Sequence, residues 1–171
     1  MKIKKSTTKD EVLSLNRPCF ECTKCCEHDA GYLADEDHKE MAKFLDISEE
    51  ELKDKYLQEG TRFNTTRHKP KTIKIKNKPF GKCVFLNEKG CVIHNVKPLH
   101  CRIGHCHQFS QQLTDWFNLN FFVNENDPES IRQWALYLEN HNCIDGGKLS
   151  DLIKDKEKLK KILNYEKLDE K

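Results

Sequence analysis

The chain has 171 residues, 36% hydrophobic and 34% charged, which fits one folding unit with a thin core and a strongly solvated surface. Its 30 basic and 28 acidic residues nearly cancel, and only five of the basic ones are arginines, Arg17, Arg62, Arg67, Arg102 and Arg132, so there is no strong nucleic-acid signal. No apolar run approaches the roughly 20 residues of a bilayer-spanning helix. The basic N-terminus also lacks the apolar stretch of a secretory signal, so the expectation is a soluble, cytoplasmic protein with reduced thiols and no membrane partner.

Residues 1–17 read as an N-terminal extension. Four of the nine cysteines follow within eight residues, Cys19, Cys22, Cys25 and Cys26, in a C-x2-C-x2-C-C array. An ordinary core needs no such cluster, whereas one loop carrying closely spaced thiols can wrap them round an ion or cluster. Ala34, His38, Met41, Ala42 and Leu45 recur at helical steps, and Ser48 with Glu51 makes a capping box for a second helix ending near Gly60. Residues 61–80, with Ile73 and Ile75 alternating between lysines, predict one or two half-exposed strands.

Cys83–Leu86 and Cys91–His94 read as paired short strands joined by Asn87-Glu88-Lys89-Gly90, the glycine taking a positive φ. Leu99–Cys106 fits a short helix or irregular turn. Asp127-Pro128 caps a helix to about Asn140 with Ile131, Trp134, Ala135 and Leu138 on one stripe. Ser150 caps a last lysine-rich helix with Leu152, Ile153, Leu159 and Leu163 inward, and this helix offers a surface for a protein partner. The resulting fold class is α+β, a small single domain of short helices around an antiparallel hairpin, organised by a cysteine metal centre. The metal-binding domain spans 18–147, and the helix at 148–171 packs on it.

Thiolates are soft ligands that select zinc, copper(I) or iron–sulfur clusters, and four of them complete either a tetrahedral zinc site or a [4Fe-4S] cubane. Cys83, Cys91, Cys101, Cys106 and Cys143 supply the thiols needed to close a site begun by the array. Successive side chains diverge, so the adjacent Cys25 and Cys26 hint at neighbouring metals or a polynuclear cluster. The array departs from the C-x3-C-x2-C of radical S-adenosylmethionine enzymes and from the bacterial ferredoxin run. The chain has no phosphate-binding loop, nucleophile elbow or His-Glu-x-x-His element, so catalysis would have to use the metal.

The array at Cys19 to Cys26, followed by Cys83-Val-Phe-Leu, Gly90-Cys-Val-Ile-His, Lys97-Pro98 and Cys101-Arg102, resembles the YkgJ-type cysteine-cluster family, the CxxCxxCC domain. The resemblance spans about residues 18–147 and implies zinc or iron chelation. Family members usually carry Arg-Pro where this chain has Lys97-Pro98, and Cys-Pro-Gly where it has Cys143-Ile144-Asp145-Gly146. The resemblance also touches the larger flagellin lysine N-methylases, which leaves a role related to protein lysine methylation as a minor alternative.

The expected metal ligands are Cys19, Cys22, Cys25, Cys26, Cys83, Cys91, Cys101 and Cys143. Cys106 lies outside the family pattern. His105 and His107 flank it and are weaker candidates, as are His94 and His100. His28 is placed to donate a hydrogen bond to a sulfur, and Arg102 to stabilise thiolate charge, although a solvated arginine fits equally. The aromatic run Trp116, Phe117, Phe121 and Phe122, with Trp134, could shield a cluster, but core packing is its default role. The leading expectation is an iron–sulfur cluster in a redox or enzymatic step. A zinc-stapled interaction module and a metal-handling chaperone are the alternatives.

Overall fold

The computed structural model describes residues 2–15, 23–104 and 108–168. The fold is α+β, with eight α-helices and three two-stranded sheets among the described residues. It divides into two compact units, one comprising residues up to Ser14, Thr61–Thr66 and Gln108 onward, the other comprising Leu15–Gly60 and Arg67–His107.

The first unit begins with α1 (Lys9–Ser14), an element the sequence reading did not predict. Its signal is a capping box: the Thr8 hydroxyl accepts from Glu11 N–H at 3.3 Å, and the Glu11 carboxylate accepts from Thr8 N–H at 2.8 Å. Two elements of the second unit come next in the chain, α2 (Asp37–Leu45) and α3 (Glu49–Tyr56). Ser48 caps α3 by accepting from Glu51 N–H at 3.0 Å, as its sequence predicts. That helix stops at Tyr56 rather than near Gly60, because Leu57 is already extended and opens β1 (Leu57–Arg62), which pairs with β2 (Thr65–Pro70).

Within the second unit, β3 (Thr72–Lys74) pairs antiparallel with β4 (Gly81–Cys83) in the register Thr72 to Cys83. A separate two-residue ladder, β5 (Leu86–Asn87) with β6 (Gly90–Cys91), sets Leu86 opposite Cys91 and Asn87 opposite Gly90. The expected hairpin is therefore real but shorter than predicted. Cys83 closes a different sheet, and His94 starts a 3-10 turn, His94–Val96, instead of ending a strand. Gly90 has the positive φ, 111°, that the turn requires. Pro98 then leads into α4 (Leu99–Ile103). The apolar core of this unit joins Leu33, Met41, Leu52, Leu57, Phe85 and Ile93.

The rest of the first unit is helical: α5 (Ser110–Phe121), α6 (Pro128–Leu138), α7 (Leu149–Leu152) and α8 (Lys156–Leu163). The Asp127 carboxylate accepts from Glu129 N–H at 3.0 Å, and Ile131 and Trp134 are buried as predicted. Ser150 does not cap a single last helix. It lies inside α7; Ile153 is extended and buried, and Asp155 caps α8 by accepting from Lys158 N–H at 3.0 Å. The aromatic run, whose default reading is core packing, is largely buried on α5, where Trp116 and Phe117 join the core with Phe122 just beyond the helix. No helix among the described residues is long and apolar enough to cross a membrane.

Candidate metal centre

Five of the predicted ligands come together in the second unit. Cys25, Cys26, Cys83, Cys91 and Cys101 all line one cavity of about 230 Å³. Three different local structures place them. Cys25 and Cys26 lie in a tight turn in which the Cys25 carbonyl accepts from the N–H groups of His28 and Asp29 at 3.1 and 3.0 Å. Cys83 N–H donates to the Cys26 carbonyl at 2.7 Å, which ties that turn to the end of β4. Cys91 closes the β5/β6 ladder, and Cys101 sits in α4. Gly31 N–H donates to Cys101 Sγ at 3.2 Å, joining the segment after the turn to the α4 thiol.

Cys19, Cys22, Cys106, His105 and His107 lie outside the described residues. Cys143 belongs to the first unit, where its thiol is pushed up to about 11 by burial, with the charges of Asp115 and Asp151 adding to the shift. The six described cysteines form no disulfide with one another.

The thiols of the cavity are close enough to perturb one another. Burial pushes Cys83 up to about 11; the Phe85 N–H draws it partly back, and the charges of Cys91 and Asp29 push it further up. Burial likewise raises Cys101, the Gly31 N–H opposes it, and the charges of Cys83, Cys26 and Cys91 add to the rise. Without a cation Cys83 and Cys101 therefore hold their protons, and a bound metal would replace those protons rather than find thiolates waiting. Among the described residues, no three His, Cys, Asp or Glu side chains gather tightly enough for one ion.

The neighbouring polar groups depart from the sequence expectations in instructive ways. Arg102 serves a carboxylate rather than a sulfur: its Nη2 lies 3.1 Å from Asp37 Oδ1, and Asp37 is 1% exposed. Asp37 Oδ2 also accepts from Ala34 N–H at 2.7 Å and Leu99 N–H at 2.8 Å, so this carboxylate holds the start of α4 against the start of α2. His28 Nδ1 donates to the Lys24 carbonyl at 2.7 Å, and its ring lies tilted against Phe80, so that proton goes to the backbone and not to a thiol. His94 and His100 both line the cavity. His100 Nδ1 accepts from Tyr32 N–H at 3.2 Å, which puts the proton of the neutral ring on Nε2. Sequence reasoning missed Asp37 and Gly31, which position α4 and its thiol, and it noted Lys97 only as a departure from a pattern.

A family model, CxxCxxCC, described as a "Putative zinc- or iron-chelating domain", matches residues 18–143. The chain belongs to this family. CxxCxxCC membership makes it a metal-binding protein of the zinc- or iron-chelating class, and the donor set agrees: soft sulfur ligands around one cavity suit either metal. No curated protein and no solved structure matches the chain.

Proposed function

We propose that the cavity holds a thiolate-ligated iron–sulfur cluster and that the protein acts in a redox or related enzymatic step. The observation that carries this reading is the arrangement of the sulfurs. Cys25, Cys26, Cys83, Cys91 and Cys101 line one space of about 230 Å³, one thiol more than the four that a zinc ion takes. A polynuclear cluster takes thiolates at the corners of a larger body, whereas zinc draws four to a point. Cys26, Cys83, Cys91 and Cys101 are the electrostatically linked set and the first-choice ligands. Cys25, which lines the same cavity, and Cys19 and Cys22 of the array complete the candidate set. When bound, a cluster of this type would supply one-electron chemistry. The residues of this chain would bury it, hold its sulfurs and donate the Gly31 N–H to one of them.

Zinc chelation is the second reading, since a structural zinc site takes four thiolates and the cavity offers enough thiols for one. In that case the protein is a metal-stapled interaction module or hands its metal to a partner. Anaerobic purification followed by iron, acid-labile sulfide and zinc analysis of one sample separates the two. Iron with sulfide is the expected result. Stoichiometric zinc without sulfide would overturn the iron–sulfur reading and leave the zinc one standing. Cys101→Ser should lose metal, and full retention would remove Cys101 from the ligand set.

A further inference from the structure

The cavity contains a lysine as well as sulfur. Lys97 lines it and is 9% exposed, a burial that lysine seldom reaches without a partner. Its place is fixed by the chain: it follows the 3-10 turn His94–Val96 with an extended backbone, φ −53° and ψ 143°, as a residue before proline must, and Pro98 then starts the helix that carries Cys101. Among the described residues its side chain has no carboxylate in ion-pair distance. The one acidic residue lining the cavity among them, Asp29, is already 2.7 Å from the ammonium of Lys69. Lys97 is thus a buried lysine in the wall of a cavity that five thiols share, and among the described residues no carboxylate pairs with it.

The charge balance of the centre supplies the missing partner. Four thiolates around a divalent zinc ion, or around a doubly charged cubane core, leave an excess of two negative charges. In a cavity walled by Leu86, Ile93 and Pro98 that excess is costly unless something positive shares the space. The Gly31 N–H and the His100 Nε2 proton offer dipoles, but Lys97 is the full charge. We propose that Lys97 is the counter-cation of the thiolate centre, a positioning residue that neutralises part of its excess charge without ligating metal. The inference rests on the reading of this cavity as a thiolate metal site, and it holds for iron–sulfur and zinc alike because the excess charge is the same.

The test uses the full chain with Zn²⁺ alone as the probe, competed against a chromophoric chelator under reducing conditions. Wild type, Lys97→Met and Lys97→Arg are compared, with amide-exchange protection across α2 to α4 in the zinc-saturated forms as a control for folding. Lys97→Met keeps the length and removes the charge, and should weaken zinc retention by about 10-fold or more while its zinc-saturated form keeps wild-type protection. Lys97→Arg keeps the charge and should restore most of the loss. Wild-type retention in Lys97→Met, or a loss in Lys97→Arg as large as that in Lys97→Met, overturns the counter-cation role. If Lys97→Met does not fold, Lys97→Gln is judged by the same criterion. Failure of wild type itself to compete for zinc strikes the metal-site reading instead, and is distinguished by that alone.

Discussion

The first unit buries four large aromatic side chains, Trp116, Phe117, Phe122 and Trp134, together with Ile3, Leu113, Ile131 and Ile162. Among the described residues of the second, one large aromatic, Phe85, is buried to that degree, and beside its small apolar core lies the thiol-lined cavity. Aromatic rings bring large buried areas and indole donors that find partners, as when Trp134 Nε1 donates to the Gly147 carbonyl at 2.8 Å. A set of thiols brings little area and, when deprotonated, strong mutual repulsion. The comparison leads to the expectation that filling the cavity matters more to the second unit than to the first.

Metal removal should therefore give the largest effect and give it unevenly. Stripping the reduced protein with a chelator is expected to abolish amide-exchange protection across α2 to α4 while α5 and α6 keep theirs, because binding energy at such sites is folding energy. Equal loss in both units would break the comparison, and no loss in either would show that the cavity is stable empty.

Each unit also buries one aspartate, and the pair sharpens the contrast. Asp37 is fully engaged by two backbone N–H groups and Arg102, so Asp37→Ala should cost about 3 kcal/mol by stranding those donors and an arginine charge. It should also loosen Cys101, measured as faster metal loss alongside a lower urea midpoint. A drop in the midpoint with unchanged metal retention would mean that Asp37 supports the fold but not the centre.

Asp115 in the first unit is 1% exposed, with its Oδ1 accepting from Tyr137 Oη at 2.8 Å and from Gln111 Nε2 at 3.0 Å, while Oδ2 is buried without a partner. Burial raises its pKa, against the pull of the two hydrogen bonds. The ionised form is thus disfavoured in the folded state, so any stability this carboxyl lends is present in acid and is lost as pH rises through the folded value. Asp115→Asn keeps the acceptor and discards the charge, and should cost less than about 1 kcal/mol at neutral pH; Asp115→Ala strands two donors and should cost about 1–3 kcal/mol. Equal costs would show that the acceptor role is not what matters.

Much of the fold was legible wherever a side chain answers a backbone need. Ser48 with Glu51 and Asp127 with Pro128 each announced a helix start, and Gly90 its turn. The same logic written in Thr8 and Glu11 was available and passed unread. The helix α5 carries Leu113, Trp116, Phe117 and Phe121 at helical steps, but Thr114, Asn118 and Asn120 are weak helix formers and masked it. Strand register was less accessible: whether Cys83 pairs with Thr72 or faces Cys91 depends on partners far away in the chain, which local pattern cannot weigh. For the candidate centre the thiols were legible from spacing. Their supports were not, because burial of Asp37 and Lys97 and the use of Arg102 are properties of packing, and a charged residue looks solvated until something covers it.

The smallest expected effect lies in the second unit. His38 Nε2 is 3.1 Å from His68 Nδ1, and burial lowers the His38 pKa below 6.5, with the charges of His68 and Lys53 adding to the fall and the Asp35 carbonyl and Glu49 opposing it. A histidine with a lowered folded value contributes stability that is complete above 6.5 and is lost as pH falls below it, since the unfolded chain takes the proton first. The urea midpoint should decline modestly through mild acid, and His38→Gln should flatten that decline. A decline of the same size in the variant would place the sensitivity elsewhere.

Gly31 gives the sulfur cavity an unusual kind of fragility. A β-carbon there would come 2.6 Å from Cys101 Sγ and 2.8 Å from the Cys101 nitrogen, so even alanine must displace the helix that presents this thiol. Part of the chelating geometry is thus specified by a hydrogen atom where every other amino acid has carbon. Random mutagenesis scored for metal content should find Gly31 as intolerant as a cysteine, although it has no side chain with which to bind anything.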